Sequence, residues 1–155
     1  MPGATHSKRH IDAPRELVYR LLTDPSAVRQ WKVPDGMSSQ IHEFEAREGG
    51  TFRVSLTYDS PESAGKTGGH TDTYHGRFVS LVRPERIVET MEFETDDPAM
   101  RGEMTVTYTL VASDGGTDLE AVHEGLPPGI APADNELGWR MALDKLASMA
   151  EGAQP

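Results

Sequence analysis

Glu89 and His123 are the two side chains of this 155-residue sequence whose type and setting could move a proton. Glu89 keeps the alternation of Met91 and Phe93, which turns it toward the apolar side of a strand. A carboxylate facing inward needs a partner or an elevated pKa. His123 shares a face with Leu119 and Ala121, and an imidazole titrates near neutrality. Facing each other across a pocket, they would form a dyad for general acid–base catalysis. Each has a plainer reading as well. His123 also reads as a core histidine satisfied by a backbone carbonyl or by Glu124. Glu89 faces solvent if the register slips and Val88 and Thr90 point inward.

The other groupings are weaker. Trp31, Tyr58, Tyr74, Phe78, Phe93, Tyr108 and Trp139 would together wall an apolar pocket, yet one by one they read as core. Gly65-Lys66-Thr67 resembles the end of a phosphate loop, but Ser60 stands where that loop needs glycine and a strand follows at 71–79. It reads as a hairpin loop. His70, Asp72 and His75 suggest metal ligands, but a five-residue separation in a strand sends the two histidines to opposite faces. Neither a metal nor a cofactor is expected. Glu92, Glu94, Asp96 and Asp97 read as solvated edge charge rather than a glycosidase pair. No Gly-x-Ser-x-Gly, His-Glu-x-x-His or dinucleotide fingerprint is present.

Composition narrows the classes further. Fifteen basic residues against 25 acidic ones give a net charge of −10, which disfavours nucleic acid and anionic membrane surfaces as partners. With no cysteine, disulfides, thiolate zinc sites and a cysteine nucleophile are excluded. The first residues lack the pattern of a secretory signal, and no apolar run approaches the ~20 residues of a membrane span. A cytoplasmic protein is expected. A hydrophobic content of 36% gives a lean core.

The elements that must position these side chains follow from periodicity. Residues 6–11 read as a short strand. Pro14 opens a helix capped by Asp12 or Ala13, and Asp24-Pro25 opens a second one carrying Val28 and Trp31. Pro34 to Gly36 end it, and no element is assigned between Gly36 and Gly49. From Phe52 the period changes to two, through Phe52–Tyr58, Tyr74–Phe78, Glu89–Phe93, Met104–Leu110 and Leu119–His123. Turn-rich links between these strands predict an antiparallel meander. Asp134 then caps a final helix with Trp139, Leu143, Leu146 and Ala150 on one stripe. A single domain spanning 1–155 is expected, ordered over roughly 5–152.

Four stretches carry a family resemblance. They are Ile11 to Tyr19 with Asp24-Pro25 and Trp31; Gly49 to Arg53; Gly76 to Phe78 with Pro84 to Thr90; and Gly116 to Leu119 through His123-Glu124-Gly125 to Gly138-Trp139, Leu143 and Leu146. In order and spacing they resemble the START-like, helix-grip (SRPBCC) superfamily, and within it the bacterial proteins similar to the activator of Hsp90 ATPase. The resemblance implies an α+β fold: a curved antiparallel sheet of six to seven strands wrapped on a long C-terminal helix, two short helices after strand 1, and a cavity between sheet and helix. Members bind apolar molecules there, and some catalyse cyclisation or hydrolysis. Where the family often has an aromatic before Thr90 and a tryptophan after it, this chain has Glu89 and Met91, which implies a roomier and more polar pocket.

The leading expectation is therefore a protein that binds an apolar or amphipathic small molecule. Its walls would come from Trp31, Tyr58, Tyr74, Phe78, Met91, Phe93, Tyr108, Trp139 and Leu143, and its orienting groups from Glu89 and His123. Two alternatives stand beside it: a polyketide cyclase-like or hydrolytic enzyme using Glu89 and His123, and a co-chaperone-like interaction module. A weak homodimer is compatible with each.

Overall fold

The computed structural model describes residues 3–59 and 71–152. The Gly65-Lys66-Thr67 loop and His70 lie outside the described residues. The elements run β1 (Gly3–Ile11), α1 (Arg15–Thr23), α2 (Pro25–Trp31), β2 (Met37–Phe44), β3 (Thr51–Tyr58), β4 (Thr71–Val82), β5 (Arg86–Phe93), β6 (Met104–Ser113), β7 (Gly116–Leu126) and α3 (Pro132–Gly152). All seven strands form one antiparallel sheet in the order β1-β7-β6-β5-β4-β3-β2. From β2 onward it is a meander, because short turns make chain neighbours into sheet neighbours. Only β1 departs from it, closing beside the last strand while α1 and α2 carry the chain to the opposite edge. With α3 held in the curve of the sheet, this is the α+β helix-grip arrangement that the resemblance implied. No helix of the described residues is long and apolar enough to cross a membrane.

Helix starts follow from proline and short polar side chains. The Asp24 side chain accepts the Ser26 N–H at 3.0 Å while Pro25, which has no N–H to satisfy, takes the first helical position. In α1 the capping position falls to Pro14 itself, in extended conformation, rather than to Asp12 or Ala13. In α3 Pro132 leads, and Asp134, expected as the cap, lies inside the first turn, its N–H bonded to Ala131 O. The buried stripe of α3 is Trp139, Ala142, Leu143, Leu146, Ala147 and Ala150. Each large apolar side chain in it contributes about 1.5–3 kcal/mol through burial.

Strand β2 had no counterpart in the sequence reading. Met37, Ser39, Ile41 and Phe44 are only half-buried, and Ser38, Gln40, His42 and Glu43 are exposed. This edge strand is fixed by its ladder with β3 rather than by apolar alternation. In β4 an irregularity between Phe78 and Ser80 shifts the phase, so Tyr74, Gly76 and Phe78 point inward before it and Leu81 after it. Gly76 is required where it stands. A Cβ there would lie 1.9 Å from Thr90 O and 2.8 Å from the Phe52 ring. Of the acidic run only Glu92 lies in β5, beyond the last β5–β6 pair, while Glu94, Asp96 and Asp97 follow the strand, and Glu92, Asp96 and Asp97 are exposed. Glu94 there takes two hydrogen bonds from Arg53, at 2.8 and 2.9 Å, and contacts His75 Nδ1 at 3.0 Å. The Arg53 hydrogen bonds, opposed by modest burial, hold its carboxyl at about 2.

Candidate functional site

A cavity of about 220 Å³ lies between the sheet and α3. Leu56, Tyr74, Met91, Phe93 and Met104 form its sheet wall, and Asn135, Gly138, Trp139 and Ala142 its helix wall. Lys32, Val33 and Pro34, which follow α2, and Ile130 and Asp134, near the start of α3, complete it together with His123. Of the residues expected from sequence, Tyr74, Met91, Phe93, His123 and Trp139 border this space. The others serve elsewhere. Trp31 donates its indole N–H to Leu21 O at 2.9 Å and meets Tyr108 edge-on, which locks α1, α2 and β6 together. Phe78 packs against Phe44 and Phe52. Leu143 is core, one residue beyond the wall residue Ala142. Tyr58 is half-buried opposite Met37 near the end of β3.

Lys32, which the sequence reading passed over, is the principal charge of the cavity. It caps α2, its N–H bonded to Val28 O, and the buried Trp31 beside it fixes the direction in which it leaves the helix. Its ammonium donates to Glu89 Oε1 at 2.6 Å and lies 5.8–5.9 Å from the ring centres of Phe52, Tyr74 and Tyr108. Burial alone would depress this lysine. The charge of Glu89, aided by Tyr108 and Tyr74, outweighs it and holds the ammonium well above the ordinary lysine range. Of the two readings of Glu89, inward by alternation or outward by a register slip, the structure has the first, and the residue is 4% exposed. The inward reading carried the signal available in the sequence: a buried carboxylate calls for a cation, and Lys32 follows the tryptophan expected at the pocket. The Tyr108 hydroxyl beside the pair is buried without a hydrogen bond of ordinary geometry, and burial raises its pKa.

Glu89 and His123 make no hydrogen bond to each other. Glu89 pairs across the ladder with Val106, and Val106 pairs with His123. The two side chains therefore stand two strand spacings apart, roughly 10 Å at the backbone, with the fully buried Val106 between them. His123 is engaged from the other side. The Trp139 indole N–H donates to its Nδ1 at 3.0 Å, and Asn135 Nδ2 lies 3.3 Å from the same atom. Thr5 orients that amide by donating to Asn135 Oδ1 at 2.6 Å. An indole nitrogen only donates, so Nδ1 must carry the lone pair and Nε2 the proton. Nε2 lies 3.1 Å from the sulfur of Met104. Burial, reinforced by the charge of Lys32, lowers the ring to about 4. At neutral pH His123 is an uncharged donor aimed at a weak acceptor, with its basic nitrogen already occupied. Neither Glu89 nor His123 stands ready as a free base. Among the described residues no cluster of three His, Asp or Glu side chains is arranged to hold a metal.

Comparison with known proteins agrees with this architecture. Protein CV1439 from Chromobacterium violaceum superposes with a TM-score of 0.87 at 35% identity, over 97% of this chain and 99% of that one. A protein from Rhodobacter sphaeroides gives a TM-score of 0.78 at 25% identity, over 95% and 91% of the two chains. An AHSA1-like protein from Aeromonas hydrophila shares the fold at 18% identity and a TM-score of 0.72, over 97% and 94%. A search of the curated proteins finds no match. The family described as activator of Hsp90 ATPase homolog 1-like protein matches residues 12–151. Matched over nearly all of its length, the chain belongs to that family.

Proposed function

We propose that this protein binds a small, mostly apolar molecule in the cavity between the sheet and α3. The observation that carries the proposal is the cavity itself: an apolar concavity of about 220 Å³ between the sheet and α3. An apolar concavity with a few polar groups at its wall, here Lys32, His123 and Asn135, is the usual form of a small-molecule site. Its size sets the ligand. A cavity of about 150 Å³ holds a benzene, so this one suits a single substituted ring or a short branched chain. The enzymatic alternative lacks a matching observation, because Val106 separates the two candidate groups.

Thermal unfolding against a panel of one-ring aromatics tests the proposal. A ligand at a hundred times its dissociation constant adds about 2.7 kcal/mol and raises the midpoint by roughly 5–10 °C. Ala142→Leu fills the cavity from the helix side and should abolish the shift in a protein that remains folded. A flat response across the panel, or a shift that survives Ala142→Leu, would refute the placement.

A further inference from the structure

We infer that the cavity selects a neutral carbonyl compound, whose oxygen accepts a hydrogen bond from one of the two donors at its wall, Lys32 Nζ or His123 Nε2. This rests on the binding reading above and names the ligand class for the same cavity.

An ammonium has three donors, and Lys32 uses one of them on Glu89 in a hydrogen bond of ordinary geometry. The Tyr108 hydroxyl beside the ammonium competes for a second, and the third N–H belongs to a side chain that borders the cavity and is only 16% exposed. The second donor is the His123 Nε2–H. Its present acceptor is the Met104 thioether, one of the weakest in the protein inventory, and His123 and Met104 both line the cavity. An sp² oxygen has two lone pairs and is the better acceptor for each donor. The Trp139 and Asn135 contacts to Nδ1 keep the Nε2 proton in place, so this donor is set before any ligand arrives.

Charge decides between a carbonyl and a carboxylate. Glu89 already neutralises Lys32, His123 is uncharged, and Asp134 stands at the cavity wall. A ligand carboxylate would add a negative charge that no cation of the cavity is left to compensate. A ketone, aldehyde or ester offers the same oxygen without that charge. The apolar walls formed by Met91, Phe93 and Trp139 suit a hydrocarbon body behind it.

Three probes of similar size separate the outcomes: acetophenone, ethylbenzene and benzoate, titrated calorimetrically at pH 7. Acetophenone should bind at least about tenfold more tightly than ethylbenzene, the effect of a hydrogen bond from a charged donor. Benzoate should be the weakest. The infrared carbonyl band of bound acetophenone should sit at or below its position in water. His123→Asn keeps an acceptor near the Trp139 indole and removes the Nε2 donor. Lys32→Met/Glu89→Leu replaces the ion pair with apolar side chains. One of the two variants should bring acetophenone affinity toward that of ethylbenzene and move the band toward its alkane position, and that variant names the donor. A preference that survives both would overturn the proposal. Equal binding of acetophenone and ethylbenzene, a wild-type band at the alkane position, or benzoate as the tightest ligand would overturn the carbonyl proposal and leave cavity binding standing. No binding by either neutral probe would overturn both.

Discussion

Replacing Glu89 with leucine should cost this protein more than its 4% exposure suggests, because Lys32 is left behind. At 2.6 Å and an effective dielectric constant of about 20, the gross attraction of the pair is roughly 6 kcal/mol. Taking each ion out of water costs several kcal/mol, so the intact pair is close to neutral in its net effect. Removing one partner leaves the other's desolvation uncompensated, about 3–5 kcal/mol. Lys32 borders the cavity and can draw water, which places Glu89→Leu near 3 kcal/mol, or about 6–12 °C in the melting midpoint. Lys32→Met/Glu89→Leu should recover most of that loss. The dependence on pH separates this cause from simple mispacking. In the native protein the lysine's pKa lies above its unfolded value, so its contribution is complete at pH 7 and fades only as pH rises through that raised pKa. In Glu89→Leu burial dominates and the folded pKa falls below the unfolded one. The unfolded chain then binds more protons, and the stability of the variant rises as pH increases from 7 toward 10. Urea unfolding followed by fluorescence of the two buried tryptophans measures all of this. A Glu89→Leu variant within 1 kcal/mol of wild type, or a double variant less stable than the single one, would refute the reasoning.

Three further outcomes are expected. The His123 pKa of about 4 lies below the ordinary 6.5, so its contribution is complete above pH 6.5 and is lost as pH falls toward 4. That loss is about 3 kcal/mol, and it should appear as a shrinking stability difference between wild type and His123→Asn across that window in urea titrations. His10 behaves oppositely: its hydrogen bond to Asp118, opposed by slight burial and aided by Asp12, raises its pKa. Its contribution is present below pH 6.5 and lost as pH rises through the raised value, which an NMR titration of the ring and the stability of His10→Gln should both show. Gly138 sits in α3, where an added Cβ would find its nearest neighbour, Pro34, at 4.0 Å. Gly138→Ala should therefore raise stability by about 0.5–1 kcal/mol in chemical denaturation through helix propensity alone.

What could be read from sequence was what repeats. The alternation from Met104 to Leu110 and the Asp24-Pro25 helix start are periodic or local signals, and the structure holds both. The direction of Glu89 was half legible: its two strand neighbours turned it inward, but a one-residue register slip would have turned it out, and only the burial decides. What failed depended on the third dimension. Whether Glu89 reaches His123 is decided by the pairing of β5 with β6 and of β6 with β7, which puts Val106 in the gap and which no single strand encodes. Lys32 carried no periodic signal because it lies just past a helix end. Leu143 and Ala142 differ by one helical step, about 100° of rotation, and that step separates core from cavity wall. Strand β2 escaped notice because its ladder, rather than its hydrophobicity, makes it a strand.

The polarity of β2 has its own consequence. An open sheet ends in two strands with unpaired backbone groups, and such edges invite another chain to add itself. Here one edge presents Ser38, Gln40, His42 and Glu43 with a register irregularity at His42. The other presents Lys8 and Arg9, with an irregularity of its own beside Gly3. Among the described residues neither edge offers a flat apolar template, which disfavours growth of the sheet by strand addition at either end. The residues that made β2 hard for a reader to see as a strand make it equally hard for a second copy of the chain to use as one.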